Sequence, residues 1–131
     1  MMQETSLETA RCKIRLVFPR GDVLHFVVDG HIDVEAMQFM ISSTEQALER
    51  TGRIWIFNDW WEVNGYDSRS RQMLTEKVRS LGDHIAASHI LVKSGIVAMG
   101  VTVANFFLNQ SQTAHSDRGS FEKALEQVLS S

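Results

Sequence analysis

The chain of 131 residues has the size of one domain, long enough to bury a core and too short for two. Hydrophobic residues make up 44% and charged residues 22%, the composition of a folded globular protein rather than a disordered chain. A net charge of −3 leaves no excess of Lys and Arg to neutralise phosphates, so nucleic acid is not an expected partner.

Residues 1–10 are polar, carry Glu4 and Glu8, and lack the basic-then-apolar order of a signal peptide. They read as a mobile arm preceding one domain over residues 11–131. Cys12 to Phe18 alternates with a period of two, the pattern of a half-buried strand, with Cys12 as a small apolar residue rather than a reactive thiol. With one cysteine, no internal disulfide forms. Pro19-Arg20-Gly21-Asp22 is a turn, and its Arg-Gly-Asp is explained by the hairpin leading into a second strand, Val23 to Asp29.

Asp33 is placed to cap a helix whose buried stripe is Met37, Met40, Ile41, Thr44, Ala47 and Leu48, with Gly52 closing it. Phe39 falls on the polar side of that helix. Arg53 to Phe57 is an apolar, β-branched and aromatic run, the pattern of a strand covered on both faces. A loop is expected after it, through Asn58, Asp59, Trp60, Trp61 and on to Tyr66. Asp67 or Ser68 caps a second helix, buried through Leu74, Val78 and Leu81 and stopped by Gly82.

Ser88 to Val92 is a further buried strand. Ser94 is then placed to cap a segment from Ile96 to Leu108, at 13 residues too short to cross a bilayer as a helix. It is apolar all round, through Ile96, Val97, Met99, Val101, Val103, Phe106, Phe107 and Leu108. A strand, a helix covered by another part of the chain, or a helix packed on a second molecule would each account for this. The Ser94 cap and the Ala98, Ala104 and Asn105 content favour a helix. Its surplus apolar face predicts a homodimer or partner surface, through Ile96, Met99, Val103, Phe106 and Phe107, with the N-terminal arm as the competing cover. Thr113 to His115 reads as a short strand, and Asp117 opens a last helix packed through Phe121, Leu125, Val128 and Leu129.

The order β-β-α-β-α-β-α-β-α implies an α/β fold with a mainly parallel sheet and an antiparallel first strand at its edge. Cytoplasmic location is the default expectation, and the Asn109-Gln110-Ser111 sequon is then a chance match.

Catalytic and metal constellations are thin. His25, His31, His84, His89 and His115 show no i, i+4 pairing on a helix and no Cys pair beside them, so no metal or other cofactor is expected. Ser94, His31 and Asp59, with His115 as a further member, fall at strand ends that converge on one sheet edge. A hydrolase set is thus conceivable, but Lys93-Ser94-Gly95 is not a nucleophile elbow. The Gly95 to Gly100 stretch lacks the Gly-Lys-Ser/Thr ending of a phosphate-binding loop. The expectation is a protein that is not an enzyme.

The element order, and the stretch from Arg53 to Leu81 with Tyr66-Asp67-Ser68 opening a helix, resemble the STAS domain, the fold of the SpoIIAA anti-sigma-factor antagonists. The stretches YDSR, VAMGV and SDR…FEKAL are similar to those of divergent SpoIIAA-like bacterial proteins. The resemblance covers about Lys13 to Leu129. In the family's Asp-Ser-Ser-Gly motif, Asp67 and Ser68 match the first two positions, while Arg69 and Ser70 replace the second Ser and the Gly. The resemblance implies a regulatory, partner-switching module with Ser68 as phosphate acceptor. Arg69 and Arg71 are placed to pair with that phosphate at the helix start. The partner- or ligand-binding residues expected are Asp59, Trp60, Trp61, Tyr66, Asp67, Arg69 and Arg71. The rival reading is a small-molecule or lipid-binding domain using the aromatic loop at the strand ends.

Overall fold

The computed structural model describes residues 3–93 and 112–131. They form one mixed sheet of six strands whose spatial order is the order along the chain. The strands are β1 (Gln3–Glu8), β2 (Cys12–Arg20), β3 (Val23–Ile32), β4 (Ile54–Tyr66), β5 (Ile85–Leu91) and β6 (Gln112–His115), with helices α1 (Val34–Thr51), α2 (Ser68–Leu81) and α3 (Arg118–Leu129). β2 pairs antiparallel with both β1 and β3, and β3 to β6 run parallel. The segment Ile96 to Leu108 lies outside the described residues, as do Ser94 and the homodimer surface expected on that segment. No described helix is long and apolar enough to cross a membrane.

Three sequence expectations change. Gln3–Glu8 is a strand rather than a mobile arm, paired with β2 in register from Gln3↔Phe18 to Glu8↔Lys13. It buries almost no side chain, so its polarity looks like coil while its backbone is satisfied by the ladder. It also displaces the Cys12 strand from the sheet edge. The expected loop over Asn58 to Tyr66 is instead the second half of β4, a strand of 13 residues. Phe39, placed on the polar side of α1, packs partly buried against the core.

The hairpin expectation holds: Arg20 folds back on Asp22 at 2.6 Å, and a bulge between Val17 and Arg20 accommodates Pro19. Asp33 caps α1, accepting from the Ala36 amide at 2.9 Å, and Gly52 closes it with φ of 78°. Cys12 is buried, and desolvation together with Asp33 and Asp29 pushes its thiol up to about 11, which leaves it unreactive.

Alternation along the strands divides the core in two. One face carries Ile14, Leu16, Phe26, Val28, Ile56 and Trp60 and is covered by α1 and α2. The other carries Val23, Phe57 and Leu91 and is covered by α3 through Phe121. His25, His89 and His115 belong to this second face: Phe57 stacks on His89 at 4.8 Å, and Phe121 meets the His25 and His115 rings, each at 5.9 Å.

Trp60 is 2% exposed in the larger core. Trp60→Ala should therefore cost about 3–5 kcal/mol, read as a lowered denaturant midpoint, with a smaller loss for half-buried Trp61→Ala. Burial lowers the pKa of His25, His89 and His115, and His115 adds to the lowering at His89. In the unfolded chain these rings titrate near ~6.5, so their contribution is complete above that pH. As pH falls below it, the unfolded chain takes up protons first and stability drops. Denaturant midpoints should fall between about pH 7 and pH 5.5, and His89→Gln should flatten that slope.

Candidate functional site

The start of α2 is assembled from three chain segments. At the end of β3 the His31 amide donates to the Arg11 carbonyl at 2.9 Å, and the Asp67 amide donates to the Ile32 carbonyl at 3.0 Å. Gly30 makes the first of these contacts possible. Its φ is +104°, and a Cβ there would lie 2.4 Å from the Arg11 carbonyl oxygen. Gly65 clears space for the His31 ring, since a Cβ would meet its Nδ1 at 3.0 Å. His31 Nε2 then lies 2.8 Å from Asp67 Oδ1, and the Arg11 guanidinium lies 3.6 Å from the same oxygen.

That contact decides the chemistry of the helix end. Asp67 occupies the N-cap position of α2, yet its side chain makes no capping hydrogen bond, because His31 and Arg11 hold the carboxylate. The first-turn amides of α2 are therefore left without a side-chain acceptor. Ser68, first residue of the helix, is exposed, as is Arg69; Arg71 is half-buried. Burial raises the pKa of the Tyr66 hydroxyl, and the charge of Arg71 partly offsets the rise. Ser70 is fully buried and its Oγ has no hydrogen-bond partner among the described residues.

Tyr66, Asp67, Ser68, Arg69 and Arg71 thus stand together, whereas Asp59, Trp60 and Trp61 do not join them. Trp60 is core. Asp59 points to the α3 face, 5% exposed, where it accepts from Arg118 at 2.7 Å and from the Trp61 amide at 3.1 Å. Between Val27↔Asp59 and Asp29↔Glu62 the register slips by one residue, a bulge in β4, and the Asp59 carboxylate takes up an amide freed there. Trp61 lies half-buried with Arg118 and Lys93 over its ring at 5.9 and 5.8 Å. The aromatic stretch is therefore strand rather than loop. A cleft of about 490 Å³ lies elsewhere, lined by residues including Thr5, Leu16, Phe18, Gln46 and Arg50.

Of the conceivable hydrolase set, His31 and Asp59 do not meet. His31 is bonded to Asp67 and Asp59 to Arg118, and the register puts His31 four strand residues, ~13 Å, beyond the level of Asp59. Ser94 is outside the described residues. Among the described residues, no group of three His, Cys, Asp or Glu side chains is placed to hold a metal ion. Sequence reasoning missed Arg11 and the pairing of His31 with Asp67; the signal available was a Gly-His pair ending a strand beside a second glycine, Gly65. It also missed a contact between His115 and Ser120, whose Oγ lies 2.7 Å from Nδ1.

No protein-family model and no curated protein matches the chain. Solved structures do. A protein of the DUF3478 family with a SpoIIAA-like fold, from Shewanella loihica PV-4, is 16% identical with a TM-score of 0.62, covering 95% of this chain and 93% of its own. The anti-sigma factor antagonist SpoIIAA in its unphosphorylated form is 14% identical with a TM-score of 0.64, covering 90% and 97%. The Bacillus cell fate determinant SpoIIAA in its phosphorylated form is 15% identical with a TM-score of 0.61, covering 88% and 98%. The six-stranded sheet with its antiparallel first strands and its helices on both faces is the SpoIIAA-like fold.

Proposed function

We propose that this chain is a regulatory module that acts by binding protein partners, and that a phosphate on Ser68 changes what it binds. Such a function needs no catalytic step. The observation that carries it is the diversion of the Asp67 carboxylate to His31 and Arg11, which leaves the amides of α2 uncapped beside an exposed hydroxyl. A phosphate at that hydroxyl would meet free N–H groups and the positive end of the helix dipole, with Arg69 and Arg71 close along the chain. Partners are expected to read this end of the molecule through Tyr66, Asp67, Arg69 and Arg71.

The likeness to SpoIIAA, solved in both phosphorylated and unphosphorylated forms, supports the same reading. Arg69, exposed where the family motif has Ser, sets this surface apart and predicts a different partner. A homodimer through Ile96, Met99, Val103, Phe106 and Phe107 is proposed alongside it.

Two measurements test the proposal. Ser68→Asp should raise stability by roughly 0.3–1 kcal/mol through the helix end, seen as a higher denaturant midpoint. The same variant should lose or exchange the partners that the unmodified chain and Ser68→Ala retain in pull-downs from the native cell. Identical partner sets for all three chains would refute the switch.

A further inference from the structure

We propose that Ser120, His115 and His89 form a nucleophilic relay that accepts an acyl group from a small carboxylic ester. Ser120 stands exposed in the first turn of α3, its Oγ 2.7 Å from His115 Nδ1. His115 Nε2 lies 2.9 Å from His89 Nδ1. A nucleophile bonded to a base, and a base oriented by a third group, is the arrangement that nucleophilic catalysis requires.

The three side chains are fixed from several sides. Register pairs Leu91 with His115 and His89 with Thr113, so the two imidazoles are diagonal neighbours on one sheet face. Phe57 stacks beneath His89 and Phe121 meets His115 edge-on. The Asp117 carboxylate accepts the Ser120 amide at 2.8 Å, which holds the serine backbone. In the tautomer that nucleophilic attack requires, the Ser120 hydroxyl donates to His115 Nδ1, and His115 Nε2–H donates to His89 Nδ1. Burial keeps both imidazoles in the neutral form this chain needs, while the negative Asp117 favours the imidazolium that forms on His115 in reaction.

In the first step Ser120 Oγ bonds to the carbonyl carbon, the π pair moves to the carbonyl oxygen and the hydroxyl proton passes to His115 Nδ1. Collapse of the tetrahedral species breaks the ester C–O bond, and the leaving alcohol takes that proton. Water then repeats the sequence on the acyl-serine, releasing a carboxylic acid and restoring Ser120. His115 is the general base, and His89 is a positioning residue that acts through it.

The relay lies on the α3 face of the sheet and Ser68 on α2 at the other, so the two proposals are tested separately. The full chain is treated with a fluorophosphonate, and with p-nitrophenyl acetate. A covalent adduct on Ser120, found by peptide mass mapping, is the expected result. Ser120→Ala should abolish the adduct and cut p-nitrophenol release at least ~100-fold, and His115→Gln should cut it by a similar factor with melting followed in parallel. His89→Gln should lower kcat while leaving KM unchanged, a split that a purely structural role would not produce. Ser80→Ala, at an exposed serine of α2, should alter none of these readouts. Absence of a Ser120 adduct, or release unchanged in Ser120→Ala, would overturn the relay.

Discussion

The pairing of Asp59 with Arg118 is the constraint on which much of the α3 face turns. A carboxylate at 5% exposure in the middle of a sheet is tolerated only with a partner, and Arg118 reaches it with contacts at 2.7 and 3.5 Å. Because Arg118 is the first residue of α3, the ion pair helps fix where that helix begins on the sheet. From that point Phe121 enters the cluster of Val23, Phe57 and Leu91, and Ser120 arrives beside His115. One electrostatic requirement thus helps align packing and polar contacts along the same helix.

A different economy operates at the start of α2. Most Asp residues at an N-cap satisfy their own helix; Asp67 is instead satisfied by groups brought from β3 and from the turn between β1 and β2. The two glycines that make room for this arrangement, Gly30 and Gly65, lie on adjacent parallel strands. Backbone conformation, ring placement and helix-end electrostatics are therefore coupled within a few residues of Ser68.

Much of the fold was legible in the residues. Alternation over Cys12 to Phe18, the apolar run ending at Phe57, the caps at Asp33 and Asp117 and the stop at Gly52 each found their element. The errors share a physical cause, since each concerns how an element is paired rather than what it is made of. Gln3–Glu8 is polar on both sides and becomes a strand only because β2 offers it an unpaired edge. Asn58 to Gly65 is rich in turn-formers, but β3 and then a bulge hold it extended, and Trp60 is drawn into the core. Of the candidate site, the Tyr66 to Arg71 segment was visible because its residues are contiguous. Arg11, His31 and the His89–His115–Ser120 chain were not, because each meets its partners only across the sheet.

The strictly sequential strand order has a consequence for how the molecule comes into being. Each strand lies beside the one that precedes it, so a chain emerging from a ribosome can add strands in turn without reopening pairs already made. The cost of such growth is that every partial sheet exposes its newest strand as a bare edge, the surface most prone to unwanted association. Once β4 is in place that edge is 13 residues long and rich in Trp, Ile and Phe, until β5 arrives. Nascent chains stalled between those two strands should be the species that most demands a chaperone.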